Sequence, residues 1–316
     1  MSTAELGRVP FLPAETLQAH HVYEPLDGRF RAAARMRQAL LREENGWPIG
    51  QWPADGEKQR PLGSYLAPEH GDANFITPEV AALVRREIAY REDDALIDQD
   101  RLFRNMLSSM PATFSLVGPL KLRPRLATGV LRRVQPGFVQ KVTDVLFEHS
   151  PARRHPAFTM DRTAFDALIK VDTTAGVSGF VALEVKFTET GNEPPARLRP
   201  RYDELSTQSG LFVDPDHPAL RTAPLQQLWR QHMLAFAMIK AGLYSEGRFV
   251  VLAPALNRPI QEALALYRAH LRPDGIVSFD VVTFETWIRS MRRTGIKEAS
   301  ALWHRYANYE PVDALI

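Results

Sequence analysis

The sequence predicts an α/β fold, with one mixed central sheet and helical additions at both ends. Three observations lead there. Residues 163–173 and 179–189 read as two strands joined by a short turn. Residues 225–241 read as a helix whose buried face runs through Leu225, Leu228, Met233, Leu234, Ala237 and Met238. After it, the apolar runs 249–253 and 277–284 read as strands separated by a helix at 259–270.

The hairpin carries the chemistry. Phe165, Ala167 and Ile169 alternate with Asp166, Leu168 and Lys170. The second run, Phe-Val-Ala-Leu-Glu184-Val-Lys186-Phe, is rich in Val, Leu and Phe. Thr173, Thr174, Gly176, Ser178 and Gly179 supply the turn. Strands joined this way pair antiparallel, which can set Asp166 beside Glu184. The strand period of two puts Glu184 and Lys186 on one face. Charges alternating along a strand ordinarily mark a solvated face. Here they interrupt runs that read as buried, where a carboxylate pair repels unless a cation or proton lies between its members. Oxygen ligands of this kind suit Mg²⁺ or Mn²⁺. A Lys beside such an ion can orient or deprotonate a bound water, and the ion stabilises charge on a phosphate oxygen. The expected chemistry is phosphodiester hydrolysis.

Composition sets the bounds. The chain has 316 residues, 45% hydrophobic and 24% charged, enough for one large domain or two ordinary ones. It contains no Cys, which excludes disulfides, thiolate catalysis and cysteine-ligated zinc. No apolar stretch reaches the length of a membrane-crossing helix, so no membrane partner is expected. The first residues lack a basic flank followed by an apolar run, so a secretory leader is not expected and a cytoplasmic location is. The net charge is +2, so nucleic acid would need a local basic patch.

Residues 1–28 hold Pro10, Pro13 and Pro25 without a period and read as an irregular arm. Residues 29–44 read as a helix with Arg29, Arg31, Arg35, Arg37 and Arg42 on a face that meets either solvent or phosphate. Residues 45–78, with Pro48, Pro53, Pro61 and Pro68, read as loop. Thr77 caps a helix with Pro78 in its first position, and Asp98 caps another. Residues 108–120, punctuated by Gly118-Pro119, read as a buried connection. Residues 122–134 read as a short basic helix and 142–148 as a strand leading to a loop with Arg153, Arg154 and His155. Residues 190–224 read as a long irregular segment in which Arg197, Arg199 and Arg201 alternate before Tyr202. Gln227, Arg230 and Gln231 share a second face of the 225–241 helix. The last helices are expected at 287–292 and 296–306. No Gly-rich phosphate loop, H-x-x-x-H spacing or G-x-S-x-G elbow is present. Lys186 argues against Asp166 and Glu184 as a glycosidase pair.

Asp166, seventeen residues, then Glu184-Val185-Lys186 resembles the signature of the PD-(D/E)XK nuclease superfamily, with Phe165 in place of its Pro. The ordered set Leu-Gly63-Ser-Tyr-Leu, Asn74-Phe75-Ile-Thr, Arg101-Leu-Phe-Arg-Asn105-Met-Leu-Ser108-Ser109, Val-Gly118-Pro119-Leu120, Phe147-Glu148-His-Ser-Pro151 and Glu184-Val-Lys186-Phe-Thr-Glu189 extends the resemblance. It spans about residues 30–306 and looks like a bacterial restriction-endonuclease-like branch. The resemblance implies an α-β-β-β-α-β core made of helix 122–134, strands 142–149, 163–173 and 179–187, helix 225–241 and strand 248–254. Two parts are expected: residues 1–121, an arm and helical region packed on the core, and residues 122–316, the core with its last strand and helices.

The resemblance also implies roles. Asp166 and Glu184 would bind Mg²⁺, or Mn²⁺ in its place, with the Val185 carbonyl. Lys186 would position the attacking water, Gln227 (Gln231 as alternate) would join the catalytic set, and Glu148 would be an extra acidic residue. The implied function is metal-dependent phosphodiester hydrolysis in DNA, of a restriction, defence or DNA-processing type. The other reading is a catalytically silent nucleic-acid-binding or interaction module on the same fold. Arg153, Arg154, Arg197, Arg199 and Arg201 bracket the hairpin in sequence and are the expected phosphate contacts. A homodimer is compatible with this reading.

Overall fold

The protein is described from a computed structural model that covers residues 7–53, 58–192 and 194–316. Strands β1 (Ile49–Trp52) and β2 (Arg60–Leu66) form a small antiparallel hairpin. The central sheet follows, in the order β3 (Val139–His149), β4 (Phe165–Thr173), β5 (Ser178–Val185), β6 (Glu246–Ala253) and β7 (Val277–Thr283). The first three strands are an antiparallel meander, and β6 and β7 join in parallel. Helix Pro124–Val134 precedes the meander and helix Gln226–Lys240 lies between β5 and β6, so the α-β-β-β-α-β order is present. No helix among the described residues is long and apolar enough to cross a membrane.

Helices cover both faces of the sheet, which is why its strands are apolar nearly throughout. Ala167, Ile169, Val171, Val181, Leu183 and Val185 lie in one core with helices Ser109–Leu122, Pro124–Val134 and Phe284–Arg293. Leu168, Phe180 and Ala182 lie in the other, with helices Pro200–Ser209, Gln226–Lys240 and Arg258–Ala269. The alternation along β4 therefore separates two buried faces and not core from water. Ala167 pairs with Leu183, so the next positions along the ladder are Asp166 and Glu184. By the period of two, both share a face with Leu168 and Ala182, the face under helix Gln226–Lys240. The turn that sets this register needs a left-handed residue, and Gly176 supplies it at φ +78. Val80, Val84, Leu116 and Leu120 sit in the same core as Ile169 and Leu183, so residues from both expected parts share one interior.

Four expectations about local structure are corrected. The 108–120 stretch is a helix, Ser109–Leu122, capped by Ser108 Oγ, which accepts from Met110 N at 3.2 Å. It is buried on all sides, so it has no polar face and shows no helical period; Pro119 falls in its last turn. The 45–78 loop contains β1 and β2. Gly50 permits their close approach, since a Cβ there would lie 2.3 Å from the Leu66 carbonyl oxygen. The 190–224 segment contains helix Pro200–Ser209, opened by Pro200 and ended by Gly210 at φ +62. The 1–28 arm contains helix Ala14–Ala19.

Three arginines of helix Arg29–Glu44, Arg35, Arg37 and Arg42, are buried and engaged within the protein. Arg35 pairs with Asp27 at 2.7 Å, Arg37 donates to the His304 carbonyl at 3.0 Å, and Arg42 donates to the Gly63 and Trp47 carbonyls, both at 3.0 Å.

Candidate active site

β4 and β5 present Asp166 and Glu184 to helix Gln226–Lys240, and Lys186 follows immediately after β5. The backbone stays in the ladder there, with Lys186 N donating to the Leu252 carbonyl at 2.8 Å. Lys186 Nζ lies 2.9 Å from Glu184 Oε1 and donates to Gln227 Oε1 at 2.7 Å. Gln227 Nε2 donates to the same Glu184 Oε1 at 2.8 Å, which closes a triangle of three side chains. One helical turn on, Gln231 Nε2 donates to Glu184 Oε2 at 2.5 Å and to the Ala164 carbonyl at 3.0 Å. Asp166 Oδ2 accepts from Val185 N at 2.7 Å. Both Gln227 and its alternate Gln231 are thus on the one carboxylate.

Burial is the dominant electrostatic influence. It pushes Asp166 well above the usual carboxylate range, and Glu184 and Glu148 add to the push against the Val185 N–H and Lys186. Burial likewise pushes Glu148 up to about 7, against the pull of Arg153 and with a further push from Glu184. For Lys186, burial disfavours the ammonium, but Glu184 and Glu189 outweigh it and hold the amine above its ordinary value. Without a metal on Glu184 this favours the ammonium, the form that donates hydrogen bonds.

Glu148 is reached by a strained backbone, at φ 45. A non-glycine residue there costs on the order of 1–3 kcal/mol and persists where surrounding structure fixes it. Arg153 does the fixing: its Nη2 donates to the Glu148 carbonyl at 2.6 Å and to the Glu148 carboxylate at 3.4 Å. Glu189, last of the Glu-x-Lys-x-x-Glu run, is a brace. Its Oε2 accepts from Phe187 N at 2.7 Å and its Oε1 from Ser109 N at 3.3 Å.

Glu148, Asp166, Glu184, Gln227 and Gln231 line one cleft of about 830 Å³, with Arg154, Arg162, Arg197, Arg199 and Arg230. The sequence-picked arginines divide. Arg154, 57% exposed, lines the cleft and pairs with Asp94 at 3.1 Å, and Arg197 and Arg199, also exposed, line it too. Arg153 is a correction: its side chain is 5% exposed and committed to Glu92 and Glu148. Arg201 is another, donating to the Phe158 carbonyl at 3.0 Å and pairing with Glu204 at 2.9 Å. Both guanidinium groups are engaged within the protein.

The donor chemistry fits a hard divalent cation. Two buried, mutually repelling carboxyls meet at the cleft floor, with the Val185 carbonyl beside them in sequence, and all three offer oxygen. Among the described residues no group of three or more His, Asp or Glu is gathered for metal binding, so such an ion would also need main chain and water.

A family model for the PD-(D/E)XK nuclease superfamily matches residues 25–308. The chain belongs to this superfamily. No curated protein and no solved structure matches it.

Beyond the signature, Asp161, Arg162 and Thr163 were not expected in the cleft. A local signal existed: Asp-x-Thr favours an Asx turn, and Thr163 N does donate to Asp161 Oδ1 at 2.9 Å.

Proposed function

We propose that the chain is a divalent-metal-dependent nuclease that hydrolyses phosphodiester bonds of DNA in this cleft. The observation that carries the reading is the Lys186–Glu184–Gln227 triangle beside Asp166, whose Glu184 and Gln227 line one cleft with Asp166 and five arginines. Asp166, Glu184 and the Val185 carbonyl would hold Mg²⁺, with Mn²⁺ as substitute. When bound, that ion stabilises charge on the phosphate and polarises a water. Lys186 donates to and orients the water. Gln227 keeps the lysine and Glu184 in register, and Gln231 fixes the other oxygen of Glu184. Glu148 is a third carboxyl at the cleft wall, held in place through Arg153. Arg154, Arg197 and Arg199 hold flanking phosphates. The ion pair of Arg154 with Asp94 is exposed, and such pairs are worth only about 0–1 kcal/mol, so a phosphate can displace it. A restriction, defence or DNA-processing role rests on the resemblance to a restriction-endonuclease-like branch and not on the geometry.

One observation favours a second reading, a silent binding module: both Glu184 oxygens are already hydrogen-bonded. Incubation with plasmid, single-stranded DNA and RNA, in Mg²⁺, Mn²⁺ or EDTA, separates the two. The nuclease reading expects DNA to be cut in Mg²⁺ and left intact in EDTA. Retained binding with no cleavage under any ion would favour the module.

The neighbours Arg153 and Arg154 should behave differently. Arg153→Ala breaks a pair with one buried partner and is expected to cost about 2 kcal/mol, below the 3–5 of a fully buried pair because Glu92 is partly exposed. It should leave the salt dependence of DNA binding unchanged. Arg154→Ala should leave stability alone and lower that slope by about one unit. Denaturant melts and binding titrations against salt check both, and a reversed pattern would return Arg153 to the phosphate track.

A further inference from the structure

We infer that Arg230 is a pre-organised phosphate fork, clamped by Asp161 so that one edge of its guanidinium faces the substrate. The inference rests on the nuclease reading above and adds to it a specific positioning contact. Helix Gln226–Lys240 carries Arg230 between Gln227 and Gln231, the two residues that hold Glu184. Arg230 lines both the main cleft and a smaller cavity of about 80 Å³ that Lys186 also lines. It therefore shares the main cleft with Glu184 and Gln227 and the smaller cavity with Lys186.

One edge of the guanidinium is fixed. Its Nη1 donates to Asp161 Oδ2 and to Thr163 Oγ1, both at 2.8 Å. Asp161 is 9% exposed and is itself held on every side. It accepts from the Thr159 hydroxyl at 2.6 Å, the Thr163 hydroxyl at 2.7 Å, Thr163 N at 2.9 Å and the Tyr202 hydroxyl at 2.7 Å. Burial works against its charge, yet these donors hold the carboxyl below its usual range, so the anchor stays ionised. So many donors on one carboxylate make a rigid base for the arginine.

The other edge is unpartnered. Nε is buried without a partner, and among the described residues Nη2 has none. Nε and Nη2 point the same way from the guanidinium plane's edge, which is the fork that takes two oxygens of one phosphate or carboxylate. A buried, unpaired N–H is costly in a free protein and is explained if a ligand completes it. Arg197 and Arg199 are exposed and have no such anchor among the described residues, so they can follow the backbone but cannot fix it.

The test uses the full chain and a short DNA duplex in EDTA, with affinity measured against salt, followed by cleavage in Mg²⁺. Arg230→Gln should lower affinity about tenfold and reduce the salt slope by about one unit. Arg230→Lys keeps the charge but not the fork, so the slope should hold while turnover falls about tenfold. Asp161→Asn should also spare the slope and slow turnover, because the guanidinium is retained but loosened. Wild-type slope and affinity in Arg230→Gln would overturn the inference, whether or not the wild type cleaves. If Arg230→Gln does not fold, Arg230→Lys decides, and wild-type affinity together with wild-type turnover in it would overturn the inference. A wild type that binds DNA and never cuts would instead sink the nuclease reading, with the binding slopes still deciding Arg230.

Discussion

Lys186→Ala should slow cleavage by about 10²–10⁴-fold while DNA affinity stays within about threefold of wild type. The size follows from the position. Lys186 Nζ bonds Glu184 and Gln227 and is almost enclosed, so it has little role in holding flanking phosphates. What it can do is donate a hydrogen bond to a water at the floor of the cleft. Removing it also leaves Glu184 buried without its cation, and losing one partner of a buried pair costs about 3–5 kcal/mol. Stability must therefore be measured alongside the rate. Lys186→Met, which fills the space, is the companion variant. In the metal-free protein the Lys186 ammonium should not titrate at about pH 10.4, where an ordinary lysine does, because Glu184 and Glu189 hold it above its ordinary value. Cleavage at the wild-type rate by Lys186→Ala would move water orientation to another group.

Asp166→Asn should abolish metal-dependent cleavage and, at neutral pH, stabilise the metal-free protein. Asn can still accept the Val185 N–H, so the local hydrogen bond survives. What disappears is a buried carboxyl that is costly beside Glu184 whether it carries the charge or takes up a proton on folding. The native Asp166 titrates above its unfolded value of 3.8, so between the two the folded state binds more protons than the unfolded. Stability of the wild type therefore falls as pH rises through that window. Glu148 acts with the same sign between 4.5 and about 7. The metal-free wild type should lose melting temperature across this range, and Asp166→Asn should lose less. Mg²⁺ should raise the melting temperature of the wild type and not of the variant, because binding to the native state alone stabilises it. A variant that is no more stable at neutral pH and still shifts with Mg²⁺ would remove Asp166 from the metal site.

The hairpin was legible because two local rules fix it. A short turn forces antiparallel pairing, and the period of two then brings Asp166 and Glu184 opposite each other. Gln227 and Gln231 were legible for the same reason, since one helical turn sets their common face. Helix Ser109–Leu122 was not, because burial on all sides erases the polar stripe that marks a helix. β1 was hidden by its shortness and by Gly50, whose missing side chain is what allows the pairing.

The arginines show where sequence alone runs out. Arg153 and Arg154 are adjacent, yet one is buried and the other exposed. Glu92, 61 residues before Arg153, decides the difference. Arg230 was placed on the right helical face, but its anchor Asp161 lies 69 residues away. Such partners are set by the tertiary fold, and no spacing rule reaches them.

The measurement that bears most directly on the account is anomalous diffraction from crystals of the protein grown with a short DNA duplex and Mn²⁺. The account predicts a manganese peak bounded by the carboxyl oxygens of Asp166 and Glu184 and the Val185 carbonyl, with Lys186 turned toward a water on that ion. A saturating Mn²⁺ concentration that leaves no peak there, with both Glu184 oxygens still bonded to Lys186, Gln227 and Gln231, would contradict it.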